Sequence, residues 1–340
     1  MKFLYLAVAA LAVAAQEPAT EDSAEPVDTH VRAFKVQVES LFNKGEFAEL
    51  DTLAARLRSE KLRFKGGAWQ LNTFYKTIGD AGPLTATDAA WQSHMAKLER
   101  WIKESPTSPT PRVALAHAYI RFAWKARGTG FADTVTPEGW ALFRQREQSA
   151  RTVLEDAAKV GAADPQWYRE MQAVATAQGW DRAQVDALAT QALANQPGYY
   201  YFATAYAYYL LPKWHGKPGE SERWAEQVAD QAGGEEGDAT YFMIAAALNC
   251  CRSTQAPALS WPRVRQGFSA IDRLYGSTNR QRNMVAYLAL RAGDTETARE
   301  VFARIGDDWD EHVWRTKALF DASRTGHAIG KTQPLRAAND

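Results

Sequence analysis

Apolar residues recur at intervals of three and four along most of the chain, the spacing that places side chains on one face of an α-helix. A clear example is the set Phe47, Leu50, Leu53, Ala54 and Leu57. Alternation of apolar and polar residues over four or more positions, which would indicate β-strands, is essentially absent. The pattern therefore predicts an all-α protein.

Short turns built from glycine and an acidic residue separate neighbouring helical patterns. Because such a turn forces the two helices to lie antiparallel, each pair is expected to form a helical hairpin. The hairpins resemble degenerate tetratricopeptide repeats, although no fixed period of about 34 residues is visible. We predict antiparallel helical hairpins stacked as a tetratricopeptide-like α-solenoid. The pairs identified are 31–44 with 46–60, 165–179 with 181–195, and 279–292 with 295–305.

The two ends of the chain differ from the helical-repeat domain expected over residues 29–326. Residues 1–15 combine Lys2 with an apolar run that ends in small residues, the pattern of a secretory signal peptide cleaved near Ala14 or Ala15. The run is shorter than the roughly 20 residues that span a bilayer, and this length favours a cleaved signal peptide over an N-terminal membrane anchor. We therefore expect a periplasmic or secreted protein without membrane insertion. Residues 16–28 predict a disordered acidic linker, and residues 327–340 predict a disordered tail.

Charge and composition narrow the classes of function. Lys+Arg and Asp+Glu number 40 each, and this balance argues against nucleic acid as the main partner. None of the six histidines lies within two to four residues of another histidine or a cysteine, so no metal site is predicted. No phosphate-binding loop or nucleophile motif occurs either. We therefore predict no cofactor and no catalytic residue.

The chain contains two cysteines, which are adjacent at Cys250 and Cys251. An oxidising compartment permits a disulfide between them, and a bond between neighbouring cysteines closes a strained ring. The alternative is a pair of half-buried thiols at the end of a helix.

Residues 199–220 are the most distinctive stretch, since an aromatic helix is followed by a loop rich in proline and glycine. One interpretation is a core helix onto which the loop is fixed by its tryptophan. The other is an aromatic wall and a loop that contact a ligand. On the second interpretation, the candidate binding residues are Lys213, Trp214, His215, Tyr206 and Tyr209.

The same stretch resembles a bacterial family defined only as domain of unknown function 4034. The sequence Leu-Pro-Lys-Trp-His-Gly at 211–216 is similar to a Leu-Pro-Arg-Trp-Gly-Gly motif of that family, with Lys213 in place of Arg and His215 in place of Gly. The resemblance covers roughly residues 40–250, and further helical hairpins are expected over 261–326. It implies a helical-repeat fold and implies no activity.

Architecture supplies the leading functional prediction. Stacked helical hairpins present a concave surface, so we expect a protein- or peptide-binding or scaffold module of the cell envelope, with a protein or peptide partner. Two alternatives remain. One is an envelope enzyme that acts on glycans through a carboxylate in a cleft, and the other is an accessory structural subunit of an envelope complex. The absence of a catalytic motif favours a protein that is not an enzyme.

Overall fold

The computed structural model describes residues 29–161, 164–249 and 259–326. Helices account for most of these residues, and no β-strand occurs among them, so the all-α prediction is confirmed. The predicted signal peptide, acidic linker and C-terminal tail lie outside the described residues, as do Cys250 and Cys251. Within the same residues, no helix is both long enough and apolar enough to cross a membrane.

The chain divides into two compact units by its internal contacts. Unit 1 contains the chain up to Lys61 together with Leu71–Val185, and unit 2 contains Leu62–Gln70 together with the chain from Asp186 onward. The helices that lie wholly or mostly in unit 1 are α1 (Thr29–Lys44), α2 (Phe47–Glu60), α3 (Gln70–Gly79), α4 (Asp88–Glu104), α5 (Thr110–Arg127), α6 (Pro137–Gly161) and α7 (Pro165–Ala177).

The boundary between the two units falls within α8 (Arg182–Asn195), between Val185 and Asp186. Two short 3-10 turns, Lys65–Gly67 and Ala132–Thr134, complete the helical elements of the described residues. The remaining helices, all in unit 2, are α9 (Tyr200–Tyr209), α10 (Glu220–Ala232), α11 (Gly234–Asn249), α12 (Trp261–Tyr275), α13 (Asn279–Ala292), α14 (Thr295–Ile305), α15 (Glu311–Trp314) and α16 (Lys317–Arg324).

The helices of all three predicted pairs are present, with boundaries within about two residues of those expected. Contacts join α1 to α2 and α13 to α14. Gly293 ends α13 in the left-handed conformation at φ 77°, and the Asp294 side chain accepts the backbone N–H of Thr297 to begin α14. Glycine is favoured at such a position because it has no Cβ to clash there. The stacking of the hairpins as a solenoid stays a prediction.

The core of unit 1 is organised around α5, which packs against α4, α6 and α7. Apolar side chains of α5 are buried on nearly every side, as expected for a helix enclosed by neighbours. Trp91 of α4 stacks on Phe122 of α5, with ring centroids 5.7 Å apart and planes 18° apart. Burying a large apolar side chain of this kind contributes on the order of 1.5–3 kcal/mol.

The core of unit 2 includes the aromatic helix α9, which packs against α10 and α11, and it continues through the packing of α11 on α12. Trp224 of α10 donates its indole N–H to the carbonyl of Ala203 in α9 at 2.9 Å. Segment 62–70 also belongs to this unit: the backbone N–H of Gly66 donates to the carbonyl of Gly276 at 2.8 Å. The side chain of Gln281 in α13 donates to the carbonyl of Gly66 at 2.8 Å, so backbone polar groups fix this segment.

Helices α11 and α12 are in close contact at Gly267, and this contact gives a first test of the packing. A Cβ at this position would lie 2.8 Å from the Cβ of Phe242 and closer still to the carbonyl oxygen of Asp238. Because the obstacle includes backbone, we expect Gly267→Ala to lower the free energy of unfolding by about 1–3 kcal/mol. Urea denaturation followed by circular dichroism measures this, with Ser269→Ala at a half-buried position of the same helix as the control. Equal midpoints for the two variants would contradict the close crossing.

Candidate functional site

The structure buries the two tyrosines that the sequence singles out as candidate binding residues. Tyr206 and Tyr209 are 5% and 7% exposed, and their rings stack with centroids 5.7 Å apart. The hydroxyl of Tyr206 donates to the carboxylate of Asp186. Both rings therefore lie in the core of unit 2, and neither offers an open face to a ligand.

The loop Pro212–Gly219 is folded back against the end of α9. His215 is exposed and stacks on Tyr209, with centroids 4.2 Å apart and planes 18° apart. Lys213 is also exposed, and its ammonium lies 5.1 Å from the ring centroid of Tyr208 and 5.6 Å from that of Trp214. The ring of Trp214 is half-buried. The structure thus brings the five candidates together at one end of α9, with Lys213 and His215 as the two open to solvent.

A second cluster, which the sequence did not identify, lies in unit 1 around Lys76 of α3. Burial is the largest cause that lowers the pKa of the Lys76 ammonium. The charges of Arg169, Arg121 and Lys35 lower this pKa further, and the charge of Glu170 raises it. Lys76 nevertheless keeps much of its side-chain surface open to solvent. Exposure together with a pKa lowered by burial is expected of a side chain on the floor of a concave surface. We call these five residues the Lys76 cluster.

The cations of the Lys76 cluster are incompletely compensated. Arg121 pairs with Asp80 at 3.2 Å, but its buried Nε–H donates to no partner among the described residues. Lys35, Lys76 and Arg169 form no ion pair or hydrogen bond within the described part of the chain. The cluster therefore carries a positive charge, although the whole chain carries none.

The carboxylate of Glu170 belongs to a buried network of hydrogen bonds. Glu170 accepts hydrogen bonds from the side chain of Gln166 and pairs with Nδ1 of His117 at 3.0 Å. Asn72 in turn donates to Gln166 at 3.1 Å. Burial alone would raise the pKa of Glu170, but His117, Arg169 and the Gln166 hydrogen bond outweigh burial and bring the pKa below its ordinary value. Glu170 therefore remains ionised and fixed in place.

Asp164 positions this network at the start of α7. Its carboxylate is 1% exposed and accepts the backbone N–H of Gln166 at 2.9 Å, which caps the helix. It also accepts from Arg58 of α2 at 2.8 Å and from the hydroxyl of Tyr75 of α3. Helices α2, α3 and α7 are thus tied to one carboxylate, one turn before Arg169 and Glu170.

Glu147 of α6 is a further carboxyl group near the network. It is 1% exposed, and neither of its oxygens has a hydrogen-bond partner among the described residues. Burial raises its pKa well above the ordinary value, and the charge of Glu170 raises it further. The pKa of Glu170 is lowered and that of Glu147 is raised, and two carboxyl groups with pKa values shifted in opposite directions are a feature of acid–base catalytic sites. Glu147 is closed to solvent, however, so no substrate reaches it in this conformation.

The described residues contain no group of three or more His, Cys, Asp or Glu side chains arranged to hold a metal ion. Two surface cavities occur elsewhere. One of about 410 Å³ lies between α1 and α2, and one of about 280 Å³ lies between α12 and α14. Neither cavity is lined by the Lys76 cluster or by the loop Pro212–Gly219.

Sequence reasoning missed the Lys76 cluster because its members are far apart in the chain. Lys35, Lys76, Arg121 and Arg169 are separated by 41, 45 and 48 residues, and each is an ordinary helical Lys or Arg when read locally. One signal was available in the sequence. Each of these four residues lies in a helix that is, or would be, the first helix of a hairpin. The irregular spacing concealed it.

The buried carboxyl of Glu147 makes the stability of the protein depend on pH in a defined direction. Because the pKa of Glu147 is raised in the folded state, its protonated side chain stabilises the fold at pH values below its pKa in the unfolded chain, which is about 4.3. This stabilisation is lost as the pH rises through the pKa of Glu147 in the folded state. We expect Glu147→Gln, which removes the ionisation and keeps the shape, to raise the free energy of unfolding at pH 7. The gain should shrink towards zero at pH 4. Thermal melts of Glu147→Gln and of the exposed Glu138→Gln on the same helix would show the difference, and equal gains at both pH values would refute it.

The loop after α9 can be tested by separate substitutions of its two ring side chains. Trp214 packs on Tyr208 at 5.9 Å, and its indole N–H is buried without a partner among the described residues. We expect Trp214→Ala to cost about 2–4 kcal/mol of unfolding free energy, in the range of large-to-small substitutions at partly buried aromatic sites. His215→Ala, which removes an exposed ring, should cost under about 1 kcal/mol. Calorimetry of both variants measures this, and a larger loss for His215→Ala would reverse the interpretation.

Comparison with protein-family profiles, with curated protein sequences and with solved structures finds no match to this chain. The resemblance to the family of domain of unknown function 4034 therefore stays a prediction.

Proposed function

We propose that this protein is a helical-hairpin binding module that takes an acidic segment of a protein or peptide partner at the Lys76 cluster. The observation that carries the proposal is that Arg169, Arg121 and Lys35, which lie on three other helices of unit 1, all disfavour the charged form of the exposed Lys76. Like charges brought together destabilise the fold that holds them. An anionic ligand at this place would relieve that repulsion, so binding gains free energy that the free protein lacks.

The helices that supply the cations fit a binding surface of stacked hairpins. Lys35 lies on α1, Lys76 on α3, Arg121 on α5 and Arg169 on α7, which are alternate helices along the chain. In solenoids of helical hairpins, the corresponding helix of each repeat lines the same surface. Contacts between α5 and α7 agree with this arrangement. Each hairpin of unit 1 would then contribute one cation to a common groove.

Carboxylates spaced along a chain suit this surface better than a single phosphate group. Phosphate sites gather backbone N–H groups, usually from a glycine-rich loop or a helix N-terminus. The N-terminus of α7, which is the helix start nearest to Arg169, is already capped by Asp164. The cations themselves belong to separate helices and so are distributed along the surface. Several acidic side chains in one extended segment match such a distribution.

The proposal predicts binding of fluorescein-labelled hexaglutamate, measured by fluorescence anisotropy at low salt, and no binding of hexaglutamine. We expect Lys76→Gln and Arg169→Gln each to weaken hexaglutamate binding by about fivefold to tenfold, or roughly 1–1.4 kcal/mol. Binding should also weaken as salt rises, because exposed charges are screened. The exposed Lys103→Gln on α4, which leaves the cluster intact, should bind as the unaltered chain does.

Two outcomes would count against the proposal. Equal losses for Lys103→Gln and Lys76→Gln would show that hexaglutamate binds by general charge attraction. Competition by inorganic phosphate or by a single-stranded DNA oligonucleotide at concentrations as low as unlabelled hexaglutamate would instead indicate a phosphate-binding surface. Thermal melts of each variant establish that the fold is retained.

A further inference from the structure

Arg127, the last residue of α5, is a buried cation that has no carboxylate partner among the described residues. Its side chain is 6% exposed. Nη1 donates to the carbonyls of Gly128 and Gly130, at 3.0 Å each, whereas Nε and Nη2 are buried and have no hydrogen-bond partner in the described part of the chain. Burial lowers the pKa of Arg127. Because a buried charge without compensation is costly, an anion that pairs with it would gain binding free energy.

We infer that the unpaired edge of the Arg127 guanidinium binds a small carboxylate whose apolar part lies against the neighbouring aromatic side chains. In every guanidinium, Nε–H and one N–H of Nη2 point in parallel along the same edge, and this edge matches the two oxygens of a carboxylate. Nε and Nη2 are the two donor atoms of Arg127 that no described residue accepts from. The inference goes beyond the proposed function, because it does not involve the Lys76 cluster.

Aromatic side chains supply the apolar part of this site. The ring centroids of Trp124 and Trp140 lie 4.9 Å and 5.4 Å from Cζ of Arg127, and both indoles are half-buried. Phe131 follows Gly130, whose carbonyl contacts the guanidinium, and its ring is 79% exposed. The site therefore combines one positive charge with apolar surface, which suits a carboxylate attached to a ring or a hydrocarbon chain.

A carboxylate suits the site better than a phosphate group does. Phosphates are usually bound by several cations or by backbone N–H groups at a helix N-terminus. Arg127 instead lies at the C-terminal end of α5, where the helix dipole is negative, and the two backbone groups that contact it are carbonyls. One negative charge on a planar group is therefore the better match for this single cation.

The loop of residues 128–136, which joins α5 to α6, is the segment that can open to admit the ligand. Each of its residues is exposed or half-buried. Within the described part of the chain, its hydrogen bonds are made inside the loop or with the adjoining ends of α5 and α6. Segments with so few buried contacts open at low free-energy cost. Closure of Nε and Nη2 in this conformation is therefore compatible with binding.

Benzoate, with benzamide as its neutral counterpart, tests the site on the unaltered chain from Gln16 onward, which is the exported form predicted from the sequence. We expect benzoate to bind with a dissociation constant on the order of 1 mM and to shift the NMR signals of residues 124–140, and we expect benzamide to do neither. Acetate, which lacks the ring, and inorganic phosphate should each bind at least about tenfold more weakly than benzoate.

Each of the opposite results would overturn the inference. Equal binding of benzamide would show that the charge is not recognised, and equal binding of acetate would remove the apolar part of the site. Phosphate that binds as tightly as benzoate would indicate a phosphate site. NMR shifts confined to the surroundings of Lys76 would place benzoate at the other surface and leave the proposed function standing. Failure of hexaglutamate to bind would refute the proposed function without affecting benzoate binding at Arg127.

Three variants assign the binding to this site. Arg127→Lys keeps the charge but removes the paired donors, so benzoate binding should weaken at least about tenfold. Arg144→Lys, at an exposed position of α6, should bind benzoate as the unaltered chain does. Phe131→Ala removes an exposed ring and should weaken benzoate binding about threefold to tenfold, with acetate binding unchanged. Thermal melts establish that each variant is folded, and Phe131→Ala keeps the test decisive if Arg127→Lys is not. Unchanged benzoate binding in folded Arg127→Lys or in Phe131→Ala would overturn the inference.

Discussion

The carboxylate of Asp164 joins three helices of unit 1 at a point that is closed to solvent. It caps α7 through the backbone N–H of Gln166, and it accepts from Arg58 and Tyr75 on α2 and α3. Removing one partner from a buried ion pair in proteins costs on the order of 3–5 kcal/mol, because a charge is left without compensation. The start of α7 is therefore fixed, and with it the positions of Arg169 and Glu170 relative to Lys76.

The Lys76 cluster depends on this arrangement. Arg169, Arg121 and Lys35 disfavour the charged form of Lys76, and Glu170, which is held by His117, offsets them only in part. Stable proteins tolerate such repulsion where surrounding contacts hold the groups in place, and perturbed charges of this kind concentrate at functional sites. The binding of acidic segments that we propose is the use of this surface that best accounts for its incompletely compensated cations.

The core of unit 2 contains extensive aromatic packing. Helix α9 supplies several buried rings, and Trp69 from segment 62–70 joins them through an edge contact with Tyr199 at 4.8 Å. The guanidinium of Arg63 lies 3.2 Å from the ring centroid of Trp69 and pairs with Glu236 at 2.6 Å. The loop after α9, where the sequence placed the candidate binding residues, covers the end of this core. Its exposed members, Lys213 and His215, rest on aromatic rings of the same helix.

The sequence by itself determined the secondary structure and the local caps. Apolar spacing, glycine turns such as Gly293 and caps such as Asp164 act within about one helical turn, so they are legible in the chain and predict the helices and their limits closely. Only the tertiary structure decided what lies together at long range. It assigned residues 62–70 to unit 2 and buried Tyr206 and Tyr209. It also left the Glu147 carboxyl without a hydrogen-bond partner among the described residues, and it placed Lys76 under the influence of cations more than forty residues away in the chain. The physical reason is that these features arise from packing between helices, which a single sequence does not encode in any local pattern.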